Sequence, residues 1–497
     1  LITENDDVLD RIHSLQNLGS TYRNMERDSA AYYWKKAIEL TSNSSYKNQY
    51  IHAVILNNLG ELALEQEQYD SAIYFLQESI KIQESKQAIN PRLHRTTLLN
   101  FAESYRWQGN YPKADTIFRT LIDDIIFDIA YNFTYLSDNE KMAFYNAQIG
   151  VIDTYTSFAL ELSGLLPLQG TDSPYLPDDI IGRLYDLQLQ TKATILNASK
   201  RMKQQIMASG DTTMIHIYHL WEQRKNDLAS ALLSGELTDE ALEQLKIKIE
   251  ENEKWLTTNS RSFKSGFVFE NTRWQEVQQA LQPGEAAVEI VRFLDGLIYG
   301  ALIITPETIE QPVMALMMST KSKHLERQFY DRYRNSITYK LVDTLSYDTY
   351  WKPIKEKLLQ LSPNGKIPHR VYLSNDGIYN QINLNTLNNP VNGQYILDET
   401  DIVILTNTKD LLKPTRTNRK KNAILFGQPA FSSTSNSTNV FSPLPETGKE
   451  VELISQILKK AGWKTEVFLG TDATEKQLKT MATGQILHLD GGMSSIK

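Results

Sequence analysis

The chain has 497 residues, 41% of them hydrophobic and 23% charged, with a net charge of -8 and no cysteine. That length and composition fit a folded protein of two to four domains, and the absence of a basic excess argues against a broad, nonspecific nucleic-acid footprint. Without cysteine, these residues form no disulfide, thiolate metal site or thiol nucleophile.

No stretch approaches the roughly 18 to 20 apolar residues of a membrane span. There is no signal-peptide pattern and no polybasic lipid anchor. Residue 1 is Leu, and the text opens inside what reads as a helical repeat, so a fragment of a longer protein is expected.

Residues 1–130 repeat. The segments "LQNLGSTYRN", "LNNLGELALE" and "LLNFAESYRW" align, placing Gly19, Gly60 and Ala102 about 41 to 42 residues apart. About twelve residues after each comes Ala30, Ala72 or Ala114, and four later Trp34, Leu76 or Phe118. Small residues let paired helices approach, and large ones fill the groove. Three helix pairs are expected, with "GNYPKA" as one inter-helix turn. The aromatic residues Tyr32, Tyr33, Trp34, Tyr69, Tyr74 and Phe75 are expected mostly in the core, a few lining a concave binding face.

Residues 131–261 read as a helical connector. "YLSDNEKMAFYNAQIGVIDTYTSFALEL" has helical apolar spacing and a Ser/Asp start signal. "DIIGRLYDLQLQTKATILNASKRMKQQIMASG" predicts one long helix ending at Gly210. "TMIHIYHLWEQRKNDLASALLSG" and "TDEALEQLKIKIEENEKWLTTNS" predict an antiparallel hairpin, with Thr238 as an N-cap.

The pattern changes near Ser262. "WQEVQQALQPGEAAVEIVRF" reads as a short helix, a Pro-Gly turn and a strand, and "LIYGALIIT" returns after the "LDG" turn to make a hairpin. Helical text follows, beginning "KSKHLERQFYDRYRN". Then "HRVYLSND", "YILDETDIVILTNT", "NAILFGQP", "GWKTEVFLG" and "GQILHLD" read as strands, the last as a buried one from Gln485 to Leu489. "TGKEVELISQILKKAG" and "ATEKQLKTMATG" read as helices. Alternating strand and helix predicts an α/β sheet with helices on its faces over residues 262–497. "SSTSNSTNVFSPLPETG" is expected to be a polar, mobile linker.

Other chemistry finds weak support. His216, His219 and Glu222 share a helical face, a feasible metal geometry, but two partly buried structural histidines are the simpler reading. Ser494 and Lys497 have an S-x-x-K spacing without helix context. No phosphate-loop, dinucleotide or nucleophile-elbow motif occurs. The basic run Arg416–Lys421 is most simply a solvated loop. No cofactor and no metal are expected.

The second half, in the order "VYLSNDGIYNQINLNTL", "YILDETDIVILTNTKDLL", "AILFGQPAF", "SPLPETGKEVELISQIL", "FLGTDATEKQLK" and "ILHL", resembles the CHAT domain, a caspase-like and separase-related peptidase domain found beside tetratricopeptide repeats. The first half is similar to those repeats, with a period longer than their usual one. The resemblance implies a helical solenoid and connector followed by a caspase-like α/β domain. It implies a bacterial cytoplasmic cysteine endopeptidase that acts on a protein substrate, with a regulatory protein or ribonucleoprotein partner on the repeats and nucleic acid reached only through that partner. Some relatives act in defence with RNA-guided CRISPR effectors or on gasdermins. A pseudo-peptidase scaffold is the alternative.

The family pattern resembles "HLATHG", whose second His is catalytic and whose Cys comes from a later strand. His488 matches the first His and Leu489 the residue after it. Asp490 and Gly491 depart from the pattern, and Gly492 stands where the catalytic His is expected. The dyad is thus expected next to this segment, and truncation of the sequence is the favoured account of its absence.

Overall fold

The computed structural model describes residues 8–43, 50–85, 90–133, 136–167, 175, 177–192, 203, 206–234, 237–259, 271–320, 324–413, 421–430, 444–474, 477–478 and 486–490. It divides into two compact units, Leu1–Leu412 and Lys413–Lys497.

The first unit begins with three helix pairs: α1 (Val8–Tyr22) with α2 (Arg27–Ser42), α3 (Tyr50–Glu65) with α4 (Tyr69–Glu84), and α5 (Pro91–Trp107) with α6 (Tyr111–Asn132). The repeated small residues do what their spacing predicts. A Cβ on Gly19 would lie 2.4 Å from Trp34 Nε1, and one on Gly60 would lie 2.5 Å from Leu76 Cγ. Ala30, Ala72, Ala102 and Ala114 are fully buried. Asn90 and Asn110 cap α5 and α6, each followed by a Pro in the first turn. Trp34 is buried, whereas Tyr32 and Tyr74 are exposed.

The connector holds α7 (Asp138–Leu162), opened by a Ser137–Glu140 capping box, then α8 (Ile180–Thr191). The expected long helix to Gly210 is not continuous. Lys192 leaves the helix with extended backbone (φ -67°, ψ 136°), because tertiary bonds described below draw its side chain into the sheet. The hairpin forms as expected from α9 (Thr212–Ser234) and α10 (Asp239–Asn259), with Thr238 Oγ1 accepting from Ala241 N.

After α11 (Trp274–Ala280), a five-stranded sheet has the order β3-β2-β1-β4-β5, from β1 (Glu285–Phe293), β2 (Ile298–Ile304), β3 (Val313–Met318), β4 (Arg370–Ser374) and β5 (Asp401–Leu405). β1, β4 and β5 are parallel, and β2 and β3 are antiparallel to their neighbours. Strand β3 was not expected: "VMALMM" lacks the polar alternation of a half-buried strand. Of "YILDETDIVILTNT", the first part is a short helix, α14 (Ile396–Glu399). It follows α12 (Tyr330–Tyr339) and α13 (Lys352–Leu361).

Strand alternation sorts this sheet's side chains into two cores. Ala287, Val291, Phe293, Leu302 and Ile304 pack with Phe118, Phe158, Leu184 and Trp274 from the helices. Ala286, Val288, Ile290, Tyr299 and Ile303 pack with Trp351, Ile354 and Leu358 on the opposite face. The first core includes Ala102 and Phe118, so the third repeat pair and the sheet share one apolar cluster.

The second unit has β6 (Asn422–Pro429), α15 (Pro445–Lys460), β7 (Lys464–Gly470) and β8 (Ile486–Leu489). Its sheet is fully parallel, in the order β7-β6-β8. Thus the strands of the second half lie in two hydrogen-bonded sheets. Among the described strands β8 is at the edge, with Leu487 52% and Leu489 54% exposed, so the expectation of a buried strand fails for half its side chains. Most of "ATEKQLKTMATG", residues 432–443 of the expected linker and the basic run except Lys421 lie outside the described residues, while the linker's end, Pro445–Gly448, forms the first turn of α15 instead of a mobile segment.

Candidate functional site

All three strands of the second unit run the same way, so their C-terminal ends share one edge, where α/β proteins usually place ligands. α15 covers the sheet through Val451, which packs with Ala423, Leu425, Val467 and Ile486. β6 approaches the first turn of α15 very closely. A Cβ on Gly427 would lie 2.6 Å from the Thr447 carbonyl oxygen, which explains a glycine there. Next in the chain, Gln428 takes φ +46°, and its N–H donates to Thr447 Oγ1 at 2.8 Å. A register shift between Gly427 and Pro429 accompanies this turn.

His488 pairs with Leu425 across the sheet, and Asp490 N donates to the Phe426 carbonyl at 2.9 Å, extending the ladder by one bond. Glu450 of α15 faces this end. One ligand atom from each of Glu450, His488 and Asp490 lies within 4.8 Å of the others. His488 Nε2 stands 3.9 Å from Glu450 Oε1, too far for a hydrogen bond. His488 Nε2 and Asp490 Oδ2 are shielded from solvent without a hydrogen-bond partner among the described residues. One nitrogen and two carboxylate donors could together hold a divalent cation. A cavity of 190 Å³ adjoins them, lined by Phe426, Gly427, Pro429, Thr474, Leu489 and Asp490 among others. Its described lining offers a hydroxyl, Thr474, and a carboxylate, but no thiol.

His488, Leu489 and Asp490 therefore sit together at a strand end, as the sequence suggests. Gly491, Gly492, Ser494 and Lys497 lie outside the described residues. His216 and His219 are both exposed rather than partly buried. His219 Nδ1 is 3.5 Å from Glu222, whose Oε1 accepts from Lys203 Nζ and Tyr218 Oη at 2.9 Å each. Glu222 is thus engaged, and this trio does not converge as a ligand set.

Two features escaped the sequence. Glu450 reads there as one more surface charge on an amphipathic helix. The other is a buried ion pair in the first unit: Lys192 Nζ donates to Glu289 Oε2 at 3.0 Å and to the carbonyls of Ile290 and Ser374 at 2.9 Å each. Glu289 Oε1 accepts from Thr408 N at 2.6 Å. Asn407 Nδ2 donates to the Gln188 carbonyl at 3.1 Å, and Lys409 Nζ to that of Leu189 at 2.6 Å, satisfying the end of α8. The connector is thereby fastened to the middle of β1, the C-terminal end of β4 and the segment that follows β5.

Comparison with known proteins assigns residues 343–493 to the CHAT domain. It assigns residues 10–85 and 96–124 to tetratricopeptide repeats. No curated protein matches the chain. A solved structure of aspartyl phosphate phosphatase F from Bacillus subtilis is similar over 51% of this chain at 14% identity, with a TM-score of 0.23, and the chain spans 62% of that protein. At that score the likeness carries no weight. The CHAT domain belongs to a caspase-like peptidase family, and tetratricopeptide repeats are protein-interaction modules. With repeats first and the CHAT domain after them, this chain has a TPR-CHAT architecture.

Proposed function

We propose that the protein is a caspase-like cysteine endopeptidase of the bacterial cytoplasm, controlled by a protein or ribonucleoprotein partner that engages its repeats, and that it cleaves a protein substrate in a defence or signalling system. The observation that carries this reading is the order of the matched segments, an interaction array ahead of a peptidase-type domain. A repeat array offers an extended surface to a partner. Tyr32 and Tyr74, 52% and 60% exposed, stand 42 residues apart at the same place in successive repeats and supply aromatic anchors for such a contact. No helix among the described residues is long and apolar enough to cross a membrane.

Cleavage by this route needs a thiolate to attack the peptide carbonyl and a histidine to manage its proton. The 497 residues contain no cysteine. That same fact favours a second reading, a non-catalytic scaffold in which the repeats bind a partner and the CHAT part is a platform.

The test uses the product of the whole gene, incubated with the products of neighbouring genes and assayed for protein cleavage with and without iodoacetamide. Partner-dependent cleavage that alkylation abolishes supports the peptidase. Absence of cleavage despite a His-Gly pair and a downstream Cys overturns it. A reading frame without either residue supports the scaffold.

A further inference from the structure

In the first unit, a cavity of 470 Å³ opens between α6 and α8, beside Asn271 and Arg273. Its size suits a small organic molecule. Three arginines line it, Arg119, Arg183 and Arg273. The fully buried Asp115 holds two of them. Its Oδ2 accepts from Arg119 Nη2 at 2.7 Å and from Tyr175 Oη at 2.9 Å, and its Oδ1 accepts from Arg183 Nη1 at 2.9 Å.

Arg183 still has Nε and Nη2. Both are shielded from water, and neither has a hydrogen-bond partner among the described residues. Leaving buried donors of a charged group unpaired is costly. The Nε–Nη2 edge is the side-on fork that matches two oxygens of a carboxylate or phosphate.

Two carboxylates also line the cavity, Asp123 and Asp186. Asp186 Oδ1 accepts from Trp274 N at 2.7 Å, and its Oδ2 lies 3.4 Å from Arg273 Nη1. Counting Asp115, three carboxylates balance three guanidiniums, so there is no general positive field. Recognition would be local, at the unpartnered edge of Arg183. Ile122, Ile126 and Leu187 form an apolar part of the wall, beside Tyr155 and the hydrogen-bonded pair Gln190 and Asn271. Phe127, 65% exposed, stacks on Tyr131 with ring centroids 6.2 Å apart and planes 7° from parallel.

We propose that this cavity binds a small organic oxyanion, its carboxylate or phosphate on the Nε–Nη2 edge of Arg183 and its apolar body against Ile126, Leu187 and Phe127. The walls come from the third repeat pair and the connector, so an occupant joins those two parts of the chain.

The test is calorimetric titration of the 497-residue chain with phenyl phosphate, benzoate and inorganic phosphate. One of the two aromatic anions binds at least about tenfold more tightly than inorganic phosphate, and which one does so separates a phosphate from a carboxylate ligand. Phe127→Ala, at a largely exposed position, removes that advantage without affecting inorganic phosphate. Arg183→Lys, which keeps the charge but loses the fork, weakens all three, with circular dichroism confirming its fold. If that variant does not fold, the Phe127→Ala comparison decides. No binding up to about 10 mM, or equal affinities for parent and folded variants, overturns the proposal.

Discussion

Lys192 Nζ lies 3.0 Å from Glu289 Oε2, and the Glu289 side chain is fully buried. The pair joins Lys192, the first residue past the end of α8, to the central strand of the five-stranded sheet. Removing one partner strands the other charge out of water, which costs about 3–5 kcal/mol. Lys192→Met is therefore expected to lower the urea midpoint strongly and to speed hydrogen exchange in β1 and β4. Lys192→Met with Glu289→Gln recovers part of the loss, because no bare charge remains. A single variant as stable as the parent would refute the clamp.

The close approach in each repeat makes a different prediction. A methyl group on Gly19 meets the Trp34 indole, so Gly19→Ala overfills the first helix pair and costs about 1–3 kcal/mol. Trp34→Leu opens a cavity and is also destabilising. Combined, the changes compensate, and the double variant unfolds later than additive costs predict. Strict additivity in a double-mutant cycle would show that the two residues do not share space.

This repeat was legible because Gly19, Gly60 and Ala102 recur at a constant interval, and local helix periodicity carries the rest. What failed depended on distant partners. The helix after Ile180 reads as continuous because nothing nearby announces that Lys192 will leave it for Glu289. Strand β3 is a run of apolar residues that only pairing with β2 identifies as a strand. In "ILHL" the apolar text suggests burial, yet among the described strands β8 has a neighbour on one side only. The sequence places His488 and Asp490 where a strand runs into glycines but marks neither as a donor, and Glu450 arrives from a helix 38 residues earlier in the chain. The Arg183 cavity was invisible, since its walls come from α6, α8 and residues 271–273.

Asp186 sets a pH dependence. Burial raises its carboxyl pKa from 3.8 to about 6, against the opposing bond from Trp274 N and the charge of Arg273. The folded state therefore holds a proton that the unfolded chain has released between about pH 4 and 6. The contribution is complete below pH 4 and is lost as pH rises through 6, on the order of 2–3 kcal/mol. Asp186→Asn keeps an oxygen for Trp274 N but cannot ionise. Its unfolding midpoint should gain on that of the parent between pH 4 and 6.5 and then hold a constant lead. Parallel profiles for the two proteins would show that Asp186 titrates normally.

The end of β6 makes the last prediction, local to the second unit. Gln428 stands at φ +46°, a region costly for side chains branched at Cβ. Gln428→Val is expected to cost about 1–3 kcal/mol. Gln428→Gly relieves the strain but adds freedom to the unfolded chain, and these nearly offset. The adjacent Gly427→Ala behaves oppositely to a relaxed surface site, because its methyl would meet the Thr447 backbone carbonyl rather than a side chain that can turn away. The stability order at 428 should thus be Gly and Gln together, then Val, with Gly427→Ala below the parent. Thermal unfolding followed by exchange at β6 and β8 amides reads that order. A Val variant as stable as the Gly variant would mean that the strand end relaxes freely, and that the edge carrying His488 and Asp490 is not held in place by α15.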